Sequence, residues 1–575
     1  MNPRTYDLNE NAITTLTMIP LPNEKCCAPT NITTKEPEET PKKPPRTLCQ
    51  GIQQIYYEYC ANTSIHGVQY LGDRRPLKEK FFWISVFIVS IYCCTILIEN
   101  IYEKWTETPV IVSFSEKSTP VWSIPFPAVT ICSETKRPMR KEGPTFMQLL
   151  NKLKTDLAED NEFSPEINST EFQEFLTLLH ICNTQIVDDG IKPLSNHALD
   201  YIGILNEMVP DFAEHYFYCK WFSHFSACDQ LFTKAYTEEG ICYTFNGLNG
   251  TDLYREDTVQ YQQMGLESTV QHSEIINRSL SWSLEDGYSL NSGLHTYPAR
   301  VLSAGARAGL FIVLQSFKEE LDYGCRGPIQ GFKVLLHSPD DVPLVSKQFV
   351  RIPMGKEIVI AVKPNMITTS AGIAEYEPKR RQCYMMSERS LKFFKVYTQN
   401  NCELECLANY TLKTCGCVKF SMPRTPDTPV CGEDKIHCYD AAEDSLLFKE
   451  FTEGLKDILM NEHIETECNC MPACTSLDYN TEISQANFDL FNMLEAIGSE
   501  GYLKDNPGVE MSRLSIYFKD NQFITSKRSE LYGVTDFLAN CGGIFGLFMG
   551  FSILSMVEML YHFSLRLWSN MRQAR

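Results

Sequence analysis

Two stretches interrupt the ordinary mixture of apolar and polar positions. Phe81 to Ile98 runs 18 residues without a charge, and Phe537 to Val557 runs 21. Each is close to the length of helix that crosses the hydrocarbon core of a bilayer, so each predicts a membrane-spanning helix. Arg74, Arg75, Lys78 and Lys80 precede the first, and Arg566, Arg572 and Arg575 follow the second. Flanking positive charge of this kind holds both termini in the cytosol. Residues from about Glu99 to Asp536 are then expected outside the cell. Met1 to Pro20 lacks a basic flank followed by an apolar core, so the first span is expected to act as a signal anchor.

Between the spans the periodicity changes character. Val110 to Phe114, Val121 to Ile131, Val301 to Leu314, Phe332 to Leu336, Glu357 to Val362 and Arg513 to Phe518 are β-branched or alternating and predict strands. Helical spacing marks Glu171 to His180, Cys402 to Leu412, Ala442 to Leu459 and Phe488 to Ile497. A mixed domain with a central sheet and helices outside it follows. The first 80 residues read as a mostly flexible tail, and Lys35 to Pro45, with four prolines and charges of both signs, reads as a disordered linker. No repeat of fixed period is present.

Composition narrows the class. A 575-residue chain with a formal net charge of -20 has no basic surface suited to nucleic acid. Its acidity either concentrates cations near the outer face or serves solubility. Of 23 cysteines, Cys26, Cys27, Cys49 and Cys60 precede the first span, Cys93, Cys94 and Cys541 lie within the spans, and sixteen fall between Cys132 and Cys474. That even number suits an oxidised ectodomain. Asn168, Asn249, Asn277 and Asn409 head glycosylation sequons in the same region, whereas Asn31 and Asn62 fall on the cytosolic side.

From Cys383 to Cys474 there are ten cysteines in 92 residues, spaced almost as mirror images. Cys402 and Cys406 share a helix face one turn apart, and Cys468, Cys470 and Cys474 return a similar set. Antiparallel elements laced by disulfides would fit. Cys415-Gly416-Cys417 and Cys468-Asn469-Cys470 also leave a zinc site open.

The second apolar stretch carries Gly542, Gly543, Gly546 and Gly550, the last opening Gly550-Phe551-Ser552. Small residues one turn apart suit helices crowded around an ion path, or simply a packed glycine zipper. Glu558 reads as an intramembrane carboxylate facing pore water, two turns inward of Gly550, or as an interfacial charge at the helix end.

Five features together resemble the degenerin/epithelial sodium channel superfamily, which includes acid-sensing channels and insect pickpocket channels. They are His66-Gly67, Phe126 to Cys132, Cys242 to Asn246, the ten-cysteine block and Gly550-Phe551-Ser552, in that order over residues 60 to 565. The general look is closest to the pickpocket members. The resemblance implies a membrane protein with two transmembrane helices and a large disulfide-rich α+β ectodomain, in a trimeric acid-sensing-channel-like architecture. Its parts would be a cytosolic tail over 1–80 with the His66-Gly67 gating motif, spans over 81–98 and 536–560, an extracellular domain over 99–535 and a cytosolic tail over 561–575. The implied function is a subunit of a sodium-permeable, amiloride-sensitive, voltage-independent cation channel gated through its ectodomain, in a sensory or epithelial setting. Its partners would be sodium ion, membrane lipid, amiloride as blocker, and copies or paralogues in a homo- or heterotrimer at the plasma membrane, with no cofactor.

Residue by residue, the resemblance makes Gly550, Phe551 and Ser552 the selectivity filter and Ala539, Asn540, Gly543, Gly546 and Glu558 the pore and gate. It implies the disulfides Cys132 to Cys242, Cys219 to Cys228, Cys383 to Cys474, Cys402 to Cys470, Cys406 to Cys468, Cys415 to Cys438 and Cys417 to Cys431, leaving Cys182 for Cys325. Two positions depart from the family pattern. Phe551 stands where many relatives carry a small residue, so strict sodium over potassium selection does not carry over. Arg380 stands where relatives often place a tryptophan that touches the first span. A purinergic-type trimeric channel, an auxiliary non-conducting subunit or a cell-surface receptor are the alternatives, and no motif names the stimulus. Nothing in the chain carries the metal, nucleophile or phosphate motifs of an enzyme.

Overall fold

A computed structural model describes residues 48–72, 75–107, 110–137, 144–159, 169–182, 199–263, 280–290, 292–293, 296–460, 467–499 and 501–573. Asn31, Lys35 to Pro45, Asn168 and Asn277 lie outside them. Two compact units divide the chain. One combines the described residues up to Tyr92 with those from Phe545 onward, and the other runs Cys93–Ile544.

The larger unit is built on two sheets. The first has eight strands, in the order Val110–Phe114, Ser526–Glu530, Lys356–Thr369, Val509–Phe518, Leu310–Phe317, Tyr216–Trp221 and His224–Ser226, with Ser476–Asn487 also paired to Lys356–Thr369. Lys356–Thr369 runs parallel to Val509–Phe518 and to Ser526–Glu530, and its pairing with Ser476–Asn487 is antiparallel. The second has five strands, ordered Val350–Pro353, Gly331–His337, Ala128–Ser133, Gly240–Phe245 and Phe232–Thr237. Along Val509–Phe518, Leu514 and Ile516 turn inward while Ser515 and Tyr517 turn outward, the period of two that the sequence carries. These side chains join Phe126, Ile131, Ile312 and Ile360 in one buried core.

Two expected strands are shorter than their apolar patterns. Val121 to Ile131 divides into a 3₁₀ turn, Val121–Ser123, and the strand Ala128–Ser133. Pro125 and Pro127 intervene, and proline has no N–H to give a ladder. Val301 to Leu314 becomes a strand only at Leu310, because Gly305 takes a left-handed φ of 100° and leads into the turn Ala306–Ala308.

The expected helices form as Ser169–Leu179, Gln399–Cys415, Ile436–Met460 and Leu490–Ala496. Thr398 caps the second by accepting the Asn401 N–H at 3.1 Å, and Gly416, at φ 75°, ends it. Phe146–Ala158, Ser169–Leu179 and Tyr201–Met208 pack with Phe420, Ile436 and Tyr439 in a second core.

Eight disulfides close: Cys132–Cys242, Cys182–Cys325, Cys219–Cys228, Cys383–Cys474, Cys402–Cys470, Cys406–Cys468, Cys415–Cys438 and Cys417–Cys431. The zinc site left open by the spacing is thereby excluded, since the four sulfurs it needs are bonded to other sulfurs. Among the described residues no other His, Cys, Asp or Glu group would hold a metal.

In the smaller unit the described residues 48–72 are ordered, in contrast to the flexible tail expected there. Leu48–Asn62 is a helix, its Glu58 pairs with Arg566 at 2.7 Å, and Tyr59 meets the rings of His562 and Phe563. Leu77–Glu107 contains, among the described residues, the one helix long and apolar enough to cross a membrane by itself. Val534–Met549 and Ile553–Ser569 make a second only if the pair, bent by 70°, counts as one span.

Candidate functional site

The second apolar stretch forms two helices rather than one. Val534–Met549 stops because Gly550 takes φ 66°, a left-handed conformation that costs an L side chain roughly 1–2 kcal/mol. Ser552 restarts the chain as the cap of Ile553–Leu560, its hydroxyl accepting the Ser555 N–H at 3.2 Å while its own N–H donates to Ser555 Oγ at 3.1 Å. The break is therefore Gly550-Phe551-Ser552. Gly550 and Glu558 do not lie two turns apart on one helix, as a continuous span requires; Glu558 sits exposed on the helix beyond the bend.

Backbone accounting at the break is incomplete in an informative way. The Gly550 N–H bonds to the Gly546 carbonyl at 2.9 Å and the Phe551 N–H reaches the Phe545 carbonyl at 3.3 Å. Met549 gives its carbonyl to the His66 N–H at 2.9 Å. Among the described residues, no donor reaches the carbonyls of Gly550 and Phe551.

His66-Gly67 lies directly against this break. Gly67 turns at φ 84° beside the Trp83 ring, and the His66 ring covers Gly550 so closely that an added Cβ there would meet it at 2.7 Å. Ser64 Oγ bonds Ser555 Oγ at 2.6 Å, tying the same loop to the first turn of the following helix. What reads in sequence as an isolated turn thus supports the break from one side.

Ala539, Gly543 and Gly546 follow at intervals of four and three on Val534–Met549 and share one face of it, with Asn540 beside them. Ala539 and Asn540 are exposed, and a Cβ built on Gly542, Gly543 or Gly546 meets nothing within 4 Å.

In the larger unit, Phe126 to Cys132 and Cys242 to Asn246 prove to be one piece of structure. Val129 pairs with Phe245, Cys132 is bonded to Cys242, and Asn246 donates to the carbonyls of Phe126 and Ala299. Arg380 holds its guanidinium 4.7 Å over the Trp105 ring and donates to the Trp105 carbonyl at 3.1 Å. Trp105 stacks on Phe537 at 5.2 Å. Arg380 thus meets the end of the first apolar helix by a cation–π contact and a hydrogen bond. Trp105 carries no sequence signal beyond being a tryptophan at the end of that helix.

Of the described sequons, Asn409 is exposed on Gln399–Cys415 and Asn249 precedes the short helix Gly250–Leu253. A buried ionic group escaped the sequence reading altogether: Glu134 and Glu239 meet Arg326, Lys333 and Arg351, with Lys333 pushed down to about 8 chiefly by burial. Its members come from distant parts of the chain.

A bent apolar helix pair with, among the described residues, two carbonyls that no donor reaches, in a chain closed by eight disulfides, belongs to the class of membrane channels. The chain belongs to the amiloride-sensitive sodium channel family, which matches residues 59–562. It is 29% identical to pickpocket protein 28 of Drosophila melanogaster over 92% of this chain and 82% of that protein. Identity to the sodium channel protein Nach of the same organism is 25% over 90% of this chain and 88% of the other. Human acid-sensing ion channel 2 is 23% identical over 88% of this chain and 86% of its own length. The chain is thus a degenerin/epithelial sodium channel subunit with pickpocket similarity.

Proposed function

We propose that this subunit lines a sodium-permeable, amiloride-blockable pore, with Gly550, Phe551 and Ser552 at its selective point and the extracellular domain controlling opening. The observation that carries this reading is the pair of carbonyls, on Gly550 and Phe551, that no donor reaches among the described residues. An unpaired backbone group in hydrocarbon costs several kcal/mol, so irregular backbone at membrane depth is tolerated where it is buried in protein or lines water. In a trimer of this chain or of paralogues, three such breaks would offer a ring of oxygens to a partly dehydrated cation. The Ser552 hydroxyl, held by the Ser555 N–H and by Ser555 Oγ at 3.1 Å, would stand at the same point.

The uncovered face at Ala539, Gly543 and Gly546 supports close approach by partner helices. Glu558 would face pore water, since a carboxylate toward lipid costs roughly 2.5–3.5 kcal/mol. Both termini are cytosolic on this reading, and the protein resides in the plasma membrane.

The test is current measured from cells expressing this chain, alone and with paralogues, while sodium is exchanged for potassium. A reversal potential that follows sodium, amiloride block, and a permeability ratio altered in Ser552→Val are expected. Ala539→Val should give a standing amiloride-blockable current, because a larger side chain disfavours a closed packing of three helices; about 3 kcal/mol of differential cost moves the closed-to-open ratio more than a hundredfold. Normal surface delivery with no current under any of these conditions would assign the chain an auxiliary role instead.

A further inference from the structure

The larger unit holds a cavity of about 510 Å³ that no part of the pore reading uses. Its walls come from both sheets: the turn joining Tyr216–Trp221 to His224–Ser226, the strands Phe232–Thr237 and Gly240–Phe245, and the loop from Thr296 to Leu302. The volume falls within the range of sites for small organic ligands.

Trp221, Phe222, Phe245 and Tyr297 bring four aromatic rings to its wall. Trp221 is braced edge-on by Phe126 and Phe222 at 5.0 Å, so that its ring orientation is fixed before anything binds. Phe222 and Ser223 form a two-residue hairpin turn with φ of 54° and 60°. Asparagine and glycine are the usual occupants of such a turn, and a phenylalanine costs stability there. Turn chemistry does not explain this ring; its place in the cavity wall does.

The polar character of the cavity is equally specific. Among the described residues no carboxylate lines it, in a chain with 72 acidic residues. A second cavity of similar size, about 500 Å³, is lined by five: Glu238, Glu239, Glu403, Asp440 and Glu443. In the first cavity the cationic wall residue is Arg300. Its two terminal nitrogens donate to the carbonyls of Trp122, Ser292 and Gly293, its guanidinium lies 4.5 Å over Tyr288, and among the described residues it forms no ion pair. Its Nη1 carries two N–H groups and, among the described residues, spends one, on the Trp122 carbonyl. A guanidinium held by three neutral carbonyls, with a terminal N–H left over among the described residues, is suited to an anion.

We propose that this cavity binds a small flat aromatic carboxylate, its ring against Trp221, Phe222 and Tyr297 and its acid group on Arg300. The site spans both sheets, so occupancy would couple them. Binding does not depend on whether the chain conducts, and failure here would leave the channel reading untouched.

The test uses the purified full-length chain in lipid nanodiscs, with indole-3-acetate as probe and indole-3-acetamide and tryptamine as its neutral and cationic counterparts. Ligand-observed NMR gives affinity, and hydrogen–deuterium exchange gives location. Indole-3-acetate should bind saturably, at least about tenfold more tightly than the amide, with tryptamine weakest. Protection should centre on residues 221–231 and 296–302. Leu302→Trp, at a position 52% exposed with room for a larger side chain, should fill the cavity and weaken binding by about tenfold or more. Arg300→Gln should erase the preference for the acid; if it does not fold, the three-probe series still decides the charge. Absent or non-saturable binding, equal affinity for tryptamine, an undiminished Leu302→Trp variant or protection elsewhere would each overturn the site. So would binding seen only after glycan removal, because Asn249 stands in the wall.

Discussion

The ten-cysteine block and the glycine break both hold backbone in a fixed geometry, by opposite means. Between Cys383 and Cys474, five covalent bridges tie Gln399–Cys415 and Ile436–Met460 to each other and to their neighbours. At Gly550-Phe551-Ser552, the geometry rests on a glycine, a serine cap and a loop that contributes one backbone hydrogen bond, one serine pair and the His66 ring. Each bond of the second kind is worth about 1 kcal/mol, a scale on which two states of an equilibrium exchange. The comparison teaches where this molecule keeps shape and where it can change shape.

The largest effect is expected from cutting a covalent tie. Cys383–Cys474 closes the whole block, a loop that the intact Cys402–Cys470 bridge shortens to about 23 residues, and its replacement by two alanines should cost about 3 kcal/mol through the unfolded chain. Cys219–Cys228, closing 9, should cost visibly less. Thermal unfolding of both double variants checks the order; equal losses would mean that the bridges act by native-state strain and not by loop length.

A pH-dependent effect comes next, at the non-covalent edge of the same block. Asp341 accepts from Asn400 at 3.1 Å, and burial, reinforced by the neighbouring Asp340 carboxyl, pushes it up to about 7. The folded value exceeds the ordinary 3.8, so the fold prefers the protonated form: this stability is complete below 3.8 and is lost as pH rises through about 7. Asp341→Asn should therefore match the parent near about pH 4 and exceed it by roughly 2 kcal/mol near about pH 8. A constant difference across that range would place the ionisation elsewhere.

At the break, Gly550→Ala should cost roughly 1–2 kcal/mol of local geometry. The signature is selective: altered conductance or permeability with unchanged unfolding of the disulfide-bonded domain. His66→Ala should partly rescue it by removing the ring that the new Cβ meets, and additive effects in that pair would disprove the contact.

The smallest effect is Ser64→Ala, which removes one hydroxyl pair with Ser555 and should shift gating by about 1 kcal/mol, or roughly fivefold in an equilibrium constant. Single-channel open probability measures it. A shift as large as that from Gly550→Ala would mean the loop, and not the glycine, sets the break.

The sequence determined whatever is local. Two uncharged runs announced the apolar helices, alternation announced Arg513 to Phe518 as a strand, the cysteine count announced an oxidised domain, and the order of five features announced the family. Even locally, proline and glycine shortened two strands whose apolar patterns ran longer. Hydropathy did not reveal the bend at Gly550, because one left-handed residue ends a helix without altering the apolarity of the stretch.

Tertiary structure alone decided what distant residues do to each other. His66 meets Gly550 across 484 positions of chain, Arg380 finds Trp105, Glu134 and Glu239 share cations with Arg326, and the cavity beside Arg300 is assembled from segments of two sheets. No periodicity or spacing encodes such meetings. They follow from how two sheets and a bent helix pair fill space, and the donors and acceptors left unspent by that packing are where function is to be sought.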